Sequence, residues 1–188
     1  MNRATTRSAL WEIAIEQHGF VTAAQAREEG FSKAAVNMLI SRGKLERSAW
    51  GVYRFPEIPV SQYDQLALAV LWTGASEACL SHETALDCYG ICDINPSLVH
   101  LSVKTNRRIR RSGGDDYIIH YETLSKTQVG WWERIPITKP FVAIEQCIRY
   151  RTPTYLLDQA IENGCRNGFL KKREADELRE ELEKRSGE

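Results

Sequence analysis

Histidine and cysteine side chains cluster in one short segment of the sequence, and zinc is the metal that such side chains would bind. His82, Cys88 and Cys92 lie close together, and Cys79 could supply a fourth ligand. A structural zinc site usually has four ligands in short pairs such as C-x2-C, and the segment lacks those pairs. Reduced cysteines buried beside a core helix are the commoner arrangement. We therefore predict no metal ligands and no cofactor.

A second group of side chains could hold a divalent ion in a nuclease. Asp115, Asp116 and Glu122 lie near predicted strands, and Lys126 follows them. The tight carboxylate-x-lysine spacing of such enzymes is missing, and acidic pairs in hairpin loops are usually solvated. The sequence also lacks G-x-S-x-G, H-E-x-x-H and a glycine-rich phosphate loop. We predict no catalytic residues, and hence that the protein is not an enzyme.

Polar residues along one predicted helix form a candidate DNA-reading face. Its apolar residues recur at helical spacing and should face the core, namely Ala35, Val36, Leu39 and Ile40. The other side carries Ser32 as the cap, followed by Lys33, Ala34, Asn37, Met38, Ser41 and Arg42. Lysine and arginine contact phosphates or guanine, and asparagine pairs with adenine in the major groove. The amides at the start of the helix also suit a phosphate.

The elements that must position this face form a winged helix-turn-helix. A first helix ends near Gly19, Thr22 and Gln25 make a capping box for a second, and Gly30 separates it from the third. Two short strands, 45–48 and 52–55, then form a hairpin, which is the wing. On it, Arg47, Trp50 and Arg54 could reach the flanking backbone or the minor groove. The alternative is a protein-binding winged helix with ordinary solvated side chains.

Two prolines, Pro56 and Pro59, mark the predicted domain boundary, which gives a winged helix over 1–58 and a second domain over 59–188. Ser61 and Ser81 should each cap a helix. Alternating patterns predict strands at 98–103, 117–121 and 135–138, followed by helices, of which the last (171–185) is mostly charged and should lie on the surface or against a partner. The fold class is therefore α+β, with a small sheet and C-terminal helices in the second domain.

A basic loop joins two of these predicted strands. Five cations lie within eight residues, namely Lys104, Arg107, Arg108, Arg110 and Arg111. They could grip phosphates and make binding salt-dependent, or they could dock on an acidic protein surface. They could equally be solvated and balanced by Asp115 and Asp116. The sequence leaves these three interpretations open.

Charge and composition limit the classes of function. The 188 residues include 25 basic and 25 acidic side chains, so any nucleic-acid binding must come from local arrangement. No run approaches the ~20 apolar residues of a membrane span, and the N-terminus does not read as a signal peptide. An odd number of cysteines, five, indicates reduced thiols. These features predict a cytoplasmic protein without a membrane partner.

Several short strings resemble the AbiEi-type antitoxin family. In the first domain they are Gly19-Phe20-Val21-Thr22-Ala23-Ala24-Gln25-Ala26, Gly30-Phe31-Ser32, Gly43-Lys44-Leu45 and Trp50-Gly51-Val52-Tyr53-Arg54. In the second they are Leu80-Ser81-His82-Glu83-Thr84-Ala85-Leu86, Pro96 and Val99-His100-Leu101-Ser102-Val103. The resemblance covers about residues 15–140. The sequence departs from the family after Pro140, where it reads Phe141-Val142-Ala143-Ile144-Glu145.

The resemblance implies a bacterial type IV toxin–antitoxin or phage-defence system. In that family the winged helix represses the promoter of its own operon, and the C-terminal domain counteracts a nucleotidyltransferase-like toxin. Double-stranded DNA and that toxin are the implied partners. We also expect a homodimer on DNA, because a single winged helix makes few base contacts. The alternative is a stand-alone winged-helix regulator whose second domain senses a ligand or mediates dimerisation.

Overall fold

The computed structural model describes residues 5–187, and its mixture of helices with two small sheets confirms the α+β class. The chain forms two compact units. The first runs up to Ala78 and also takes in Arg108–Asp115 and Glu133–Ile135, and the second comprises the remaining segments. No helix among the described residues is long and apolar enough to cross a bilayer.

The first unit contains the predicted winged helix. Its elements are α1 (Thr6–Ile15), β1 (Phe20–Thr22), α2 (Ala23–Glu28), α3 (Lys33–Ser41), β2 (Glu46–Ala49) and β3 (Val52–Arg54). The strands are antiparallel in the order β1-β3-β2, and β1 was not predicted, because its three residues are too few to show an alternating pattern. Leu10, Val21, Val36, Leu45 and Phe55 pack together at the centre of this unit.

A further helix, α4 (Asp64–Thr73), also belongs to the first unit. The prediction that Ser61 caps it was wrong. Instead the Ser61 hydroxyl and backbone amide both donate to Oδ1 of Asp64, at 2.6 and 3.0 Å. The helix therefore starts at Asp64. The placement of a functional boundary between residues 58 and 59 stays a prediction.

The second unit is built on a five-stranded sheet. Its strands are β4 (Cys79–Leu80), β5 (Val99–Val103), β6 (Tyr117–Tyr121), β7 (Val129–Trp132) and β8 (Ile135–Thr138), in the order β6-β5-β4-β8-β7. β5 pairs with β6 in parallel and with β4 in antiparallel orientation, and β4 pairs with β8 in parallel orientation. The short strands β4 and β7 were not predicted, because β4 has only two residues and the sequence of β7, Val129-Gly130-Trp131-Trp132, does not alternate between apolar and polar residues.

Four helices pack in the same unit: α5 (His82–Tyr89), α6 (Pro140–Tyr150), α7 (Thr154–Arg166) and α8 (Lys172–Ser186). The last helix lies on the surface, as its many charges predicted, but one of its sides is buried. Ala175, Leu178 and Leu182 of α8 are buried, and the helix contacts both α6 and α7. Its charged residues cover the opposite side, so it completes the core of this unit.

Candidate nucleic-acid interface

Helix α3 presents the predicted polar face to solvent. Ser32 caps the helix by accepting a hydrogen bond from the amide of Ala35 at 3.2 Å. Val36 and Leu39 point into the core, as the helical spacing predicted. The remaining side of the helix is exposed and consists of Ser32, Lys33, Ala34, Asn37, Met38, Ser41 and Arg42. These residues form one continuous stripe, because their spacing follows the helical repeat.

This stripe has the composition of a DNA-reading surface of modest charge. Lys33 lies at its start and Arg42 at its end, with the Asn37 amide between them. The Ser41 hydroxyl is engaged in its own helix, where it donates to the carbonyl of Met38 at 3.0 Å. A major groove admits a helix with such a face, and the cations at both ends suit the phosphates that border the groove.

The wing is a hairpin with an exposed aromatic tip. Trp50 is 64% exposed in the turn between β2 and β3. Gly51 next to it has a φ of 72°, a conformation that favours glycine and allows the tight reversal. Arg47 on β2 is also exposed, and its guanidinium lies over the ring of Tyr53 on β3, 5.9 Å from the ring centroid. Trp50 and Arg47 therefore remain available for an external partner.

Arg54, the third wing residue of the predicted interface, is held inside the unit. Its Nη2 lies 3.3 Å from Oδ2 of Asp64 and donates to the carbonyl of Ile58 at 2.7 Å. Only 13% of the Arg54 side chain and 7% of the Asp64 side chain are exposed. This geometry favours a role in joining β3 to the start of α4 over a contact with DNA.

The basic loop is divided between the two compact units. Lys104 and Arg107 fall in the second unit, whereas Arg108, Arg110 and Arg111 fall in the first. Arg111 is half-buried: it donates to the carbonyl of Trp50 at 3.4 Å and to that of Trp72 at 2.5 Å. Burial lowers its pKa. Arg111 thus supports the wing from within the unit, while Arg108 and Arg110 are exposed.

The side chains considered for zinc do not form one group. Burial raises the pKa of the Cys88 thiol to about 12 and that of Cys92 to about 11. Among the described residues, the group that could hold a metal joins His82 to His100 and His120 instead. The sequence analysis missed the last two because each lies inside a strand, and only their shared residue type could have linked them.

The residues considered for a nuclease are likewise dispersed. Asp115, Asp116 and Lys126 are exposed. Glu122 alone is held in a polar network, where it accepts a hydrogen bond from the Ser102 hydroxyl at 2.7 Å and another from the Gln146 amide. Among the described residues, the carboxylates considered for a nuclease are therefore not brought together into a possible metal site.

The winged helix can now be compared with known families. Residues 9–56 match the AbiEi antitoxin family of transcriptional regulators. This AbiEi match confirms the resemblance to that family over the segment from α1 to the end of the wing. It also supports a role for the chain as a DNA-binding regulator. The family description names a regulator and no catalytic activity. No curated protein matches the sequence.

The fold is also similar to that of a solved structure. It is the crystal structure of the RV2827C protein from Mycobacterium tuberculosis, with a TM-score of 0.51 and 13% sequence identity. The similarity covers 94% of this chain and 72% of that one. At this identity it bears on the fold alone, and the fold it supports extends well beyond the residues of the AbiEi match.

Proposed function

We propose that this protein is a transcriptional regulator that binds the promoter of its own operon through α3 and the wing, and represses it. The observation that carries the proposal is the exposed stripe on α3, bounded by Lys33 and Arg42. The stripe is one face of a helix whose opposite face anchors it in the core through Val36 and Leu39. A recognition helix needs both an exposed polar face that can contact bases and an apolar face that packs firmly against the core.

Two further observations support DNA as the ligand. The hairpin that follows α3 places Arg47 and Trp50 at an exposed position, as in wings that contact the flanking backbone. The AbiEi match covers the same elements and describes transcriptional regulators. We propose a homodimer on DNA, because one recognition helix reads few base pairs and paired half-sites raise both affinity and specificity.

The test is footprinting of the DNA upstream of the gene across a salt series, with the full chain. The proposal predicts a sequence-specific protected site, made of two half-sites about 34–36 Å or a multiple of that distance apart if the dimer binds. Protection that is uniform along the DNA, or absent even at low salt, would contradict it. The winged helix would then be a protein-binding module.

We propose further that residues 59–188 counteract a nucleotidyltransferase-like toxin. The support is that the family matched by residues 9–56 comprises antitoxins, and that the second-domain strings resemble the same family. The experiment is co-expression of the chain with the product of the neighbouring gene. Toxicity of that product alone, relieved by this chain, is the expected result.

The co-expression experiment also distinguishes the antitoxin hypothesis from that of a stand-alone regulator. A neighbouring product that is harmless, or toxicity that this chain does not relieve, would remove the antitoxin half of the proposal. A specific footprint combined with that outcome would favour a stand-alone regulator whose second domain senses a ligand or mediates dimerisation.

A further inference from the structure

Three histidine rings converge in the second unit. The whole chain has four histidines, and three of them, His82, His100 and His120, place a ring nitrogen within 4.8 Å of one another. His82 opens α5, His100 lies in β5 and His120 lies in the neighbouring strand β6. The parallel pairing of β5 with β6 brings the last two rings together from residues twenty positions apart.

One nitrogen of the His100 ring and one of the His120 ring are separated by a distance that suits two ligands of the same metal ion. Nδ1 of His100 and Nε2 of His120 are 3.0 Å apart, which makes one the donor and the other the acceptor of a hydrogen bond. Two nitrogens bound to a tetrahedral zinc at its usual bond length lie about 3.3 Å apart. An ion can therefore replace the shared proton with small rotations of the rings.

The third ring lies against this pair. The rings of His82 and His120 are stacked, with centroids 3.5 Å apart and planes inclined by 14°. Stacked rings have parallel lone pairs, so a bound ion requires one of them to turn about its Cβ–Cγ bond. His120 is the less buried member of the pair and is therefore the ring that we expect to turn; the Tyr150 ring packs edge-on against it, with centroids 5.3 Å apart.

Oxygen atoms lie near the nitrogens of two rings that would not bind the ion. The Ser81 hydroxyl is within hydrogen-bond distance of Nδ1 of His82, at 3.0 Å, whereas Oε2 of Glu83 is 3.8 Å from Nε2 of His100 and must come closer as the rings turn before it accepts a hydrogen bond. Metal-binding histidines almost always donate their other ring nitrogen to such an oxygen, which fixes the tautomer. Glu83 is itself held by the Thr152 hydroxyl at 2.8 Å.

The backbone that carries one of the three rings has an unusual conformation. His82 has a φ of 51°, which is rare for a residue with a side chain, and such conformations concentrate at functional sites.

We propose that His82, His100 and His120 form a binding site for a divalent transition-metal ion of the zinc class. Each ring supplies one nitrogen, and Glu83 acts as a positioning residue through His100. Three protein ligands leave one tetrahedral position open for water or an exogenous ligand, as in non-structural zinc sites. An all-nitrogen ligand set excludes Mg²⁺ and Ca²⁺, which prefer oxygen.

The test is a titration of the metal-stripped full chain with Co²⁺, followed by competition with Zn²⁺. We expect about one equivalent to bind, with the visible absorption bands of tetrahedral Co²⁺ and without the near-ultraviolet bands of a cobalt–thiolate bond. Mg²⁺ should not compete. Absence of saturable binding in the unmodified protein would overturn the proposal.

Matched variants locate the ion. His100→Gln and His120→Gln should abolish binding, and His18→Gln, which alters the remaining histidine in the first unit, should leave it unchanged. Glu83→Gln should weaken Co²⁺ affinity by ~10–100-fold, without changing the melting temperature of the metal-free protein. Binding that survives both ligand variants, or that is lost in Cys88→Ser with Cys92→Ser, would contradict the assignment.

A measurement on the unmodified protein covers the case in which a variant does not fold. Ring nitrogen and carbon-bound proton signals of the histidines are recorded by NMR before and after addition of Zn²⁺. Shifts confined to His82, His100 and His120 are expected. Shifts of His18 alone, or of none of the four, would overturn the site. Promoter binding is measured separately, so failure of this proposal is distinct from failure of the regulator proposal.

Discussion

The guanidinium of Arg111 lies over the indole ring of Trp50, with Cζ 5.0 Å from the ring centroid. The same guanidinium occupies the space beside Gly74, where a Cβ atom would meet its Nη2 at 1.9 Å. A cation of the basic loop thus supports the tip of the wing, and a residue without a side chain makes room for it. Arg111 therefore differs from the other cations of that loop.

Arg111→Ala should destabilise the first unit. The lost contacts are one cation–π interaction and hydrogen bonds to two carbonyls, for which we expect a cost of about 1–2 kcal/mol in the free energy of unfolding. Urea denaturation measures it. Arg110→Ala is the matched control, and since Arg110 is exposed its cost should stay within about 0.5 kcal/mol. Equal effects of the two changes would refute the supporting role of Arg111.

Lys33→Ala and Arg42→Ala should weaken binding to the promoter. Loss of a base-edge contact costs on the order of 1–3 kcal/mol and relaxes specificity at one position. Loss of a phosphate contact weakens all sequences alike and flattens the salt dependence by roughly one unit. Titrations at several salt concentrations distinguish the two.

The controls for these changes are Lys126→Ala and Arg166→Ala, which alter exposed cations of the second unit. They should leave promoter affinity unchanged. If neither Lys33 nor Arg42 affects binding while the footprint persists, α3 is not the recognition helix. A combined change of Arg107, Arg108 and Arg110 then tests the basic loop, and Arg111 is left intact because its loss disturbs the wing.

Asp64→Ala should be strongly destabilising. It leaves the largely buried guanidinium of Arg54 without its carboxylate and removes the acceptor for Ser61. Breaking a buried pair from one side costs about 3–5 kcal/mol, whereas replacing both partners by apolar residues is often neutral. The double change Arg54→Met with Asp64→Leu should therefore recover most of the loss in urea denaturation.

The exposed ion pairs of Glu57 provide the comparison. Its carboxylate lies 3.3 Å from Arg7 and 3.5 Å from Lys44, with all three side chains well exposed. Glu57→Ala should have little effect on the free energy of unfolding, because solvent screens such pairs. A cost for Asp64→Ala no larger than this would show that the Arg54–Asp64 pair does not hold β3 to α4.

The metal-free protein should lose stability below about pH 6.5. His82 and His120 have depressed pKa values in the folded state, to about 2 and about 4, so in this range the unfolded chain binds protons that the folded chain does not. Their contribution is complete above the unfolded pKa near 6.5 and is lost progressively as the pH falls below it. Each of these two residues adds up to ~1.4 kcal/mol per pH unit to the slope of the free energy of unfolding against pH.

Urea denaturation in the presence of EDTA between pH 7.5 and pH 5 measures this dependence. Glu83 and Arg149 are the neighbouring charged groups that act on the cluster. His120→Gln should flatten the slope, and His18→Gln should not. A stability that is independent of pH in this window would contradict the buried neutral state of the cluster.

The winged helix was predictable because its signals are local. The capping box of Thr22 and Gln25, the cap at Ser32 and the apolar spacing of α3 each depend on residues within one or two turns, and all three are present. The polar face of α3 followed directly from that spacing. Local signals of this kind survive because the tertiary structure reinforces them.

The cluster of three histidines, His82, His100 and His120, could not be predicted, because the pairing of two strands that are distant in the sequence creates it. His100 and His120 meet only through the parallel register of β5 and β6, which no sequence pattern specifies. Ser81 shows how this context overrides a local rule: it precedes α5 in an N-cap position, but its hydroxyl bonds to the His82 ring instead of capping the helix. In α8, by contrast, the buried Ala175, Leu178 and Leu182 have a helical spacing that the many charges obscured.

The chain passes back and forth between its two compact units, so the coding sequence of one unit is interrupted by that of the other. The first unit takes its last two segments, Arg108–Asp115 and Glu133–Ile135, from within the sequence of the second. A single recombination junction therefore cannot transfer one unit without part of the other. A frameshift between residues 79 and 107 would likewise remove Arg111 from beside Trp50 as well as most of the second unit, so we expect lesions there to impair both halves of the protein together.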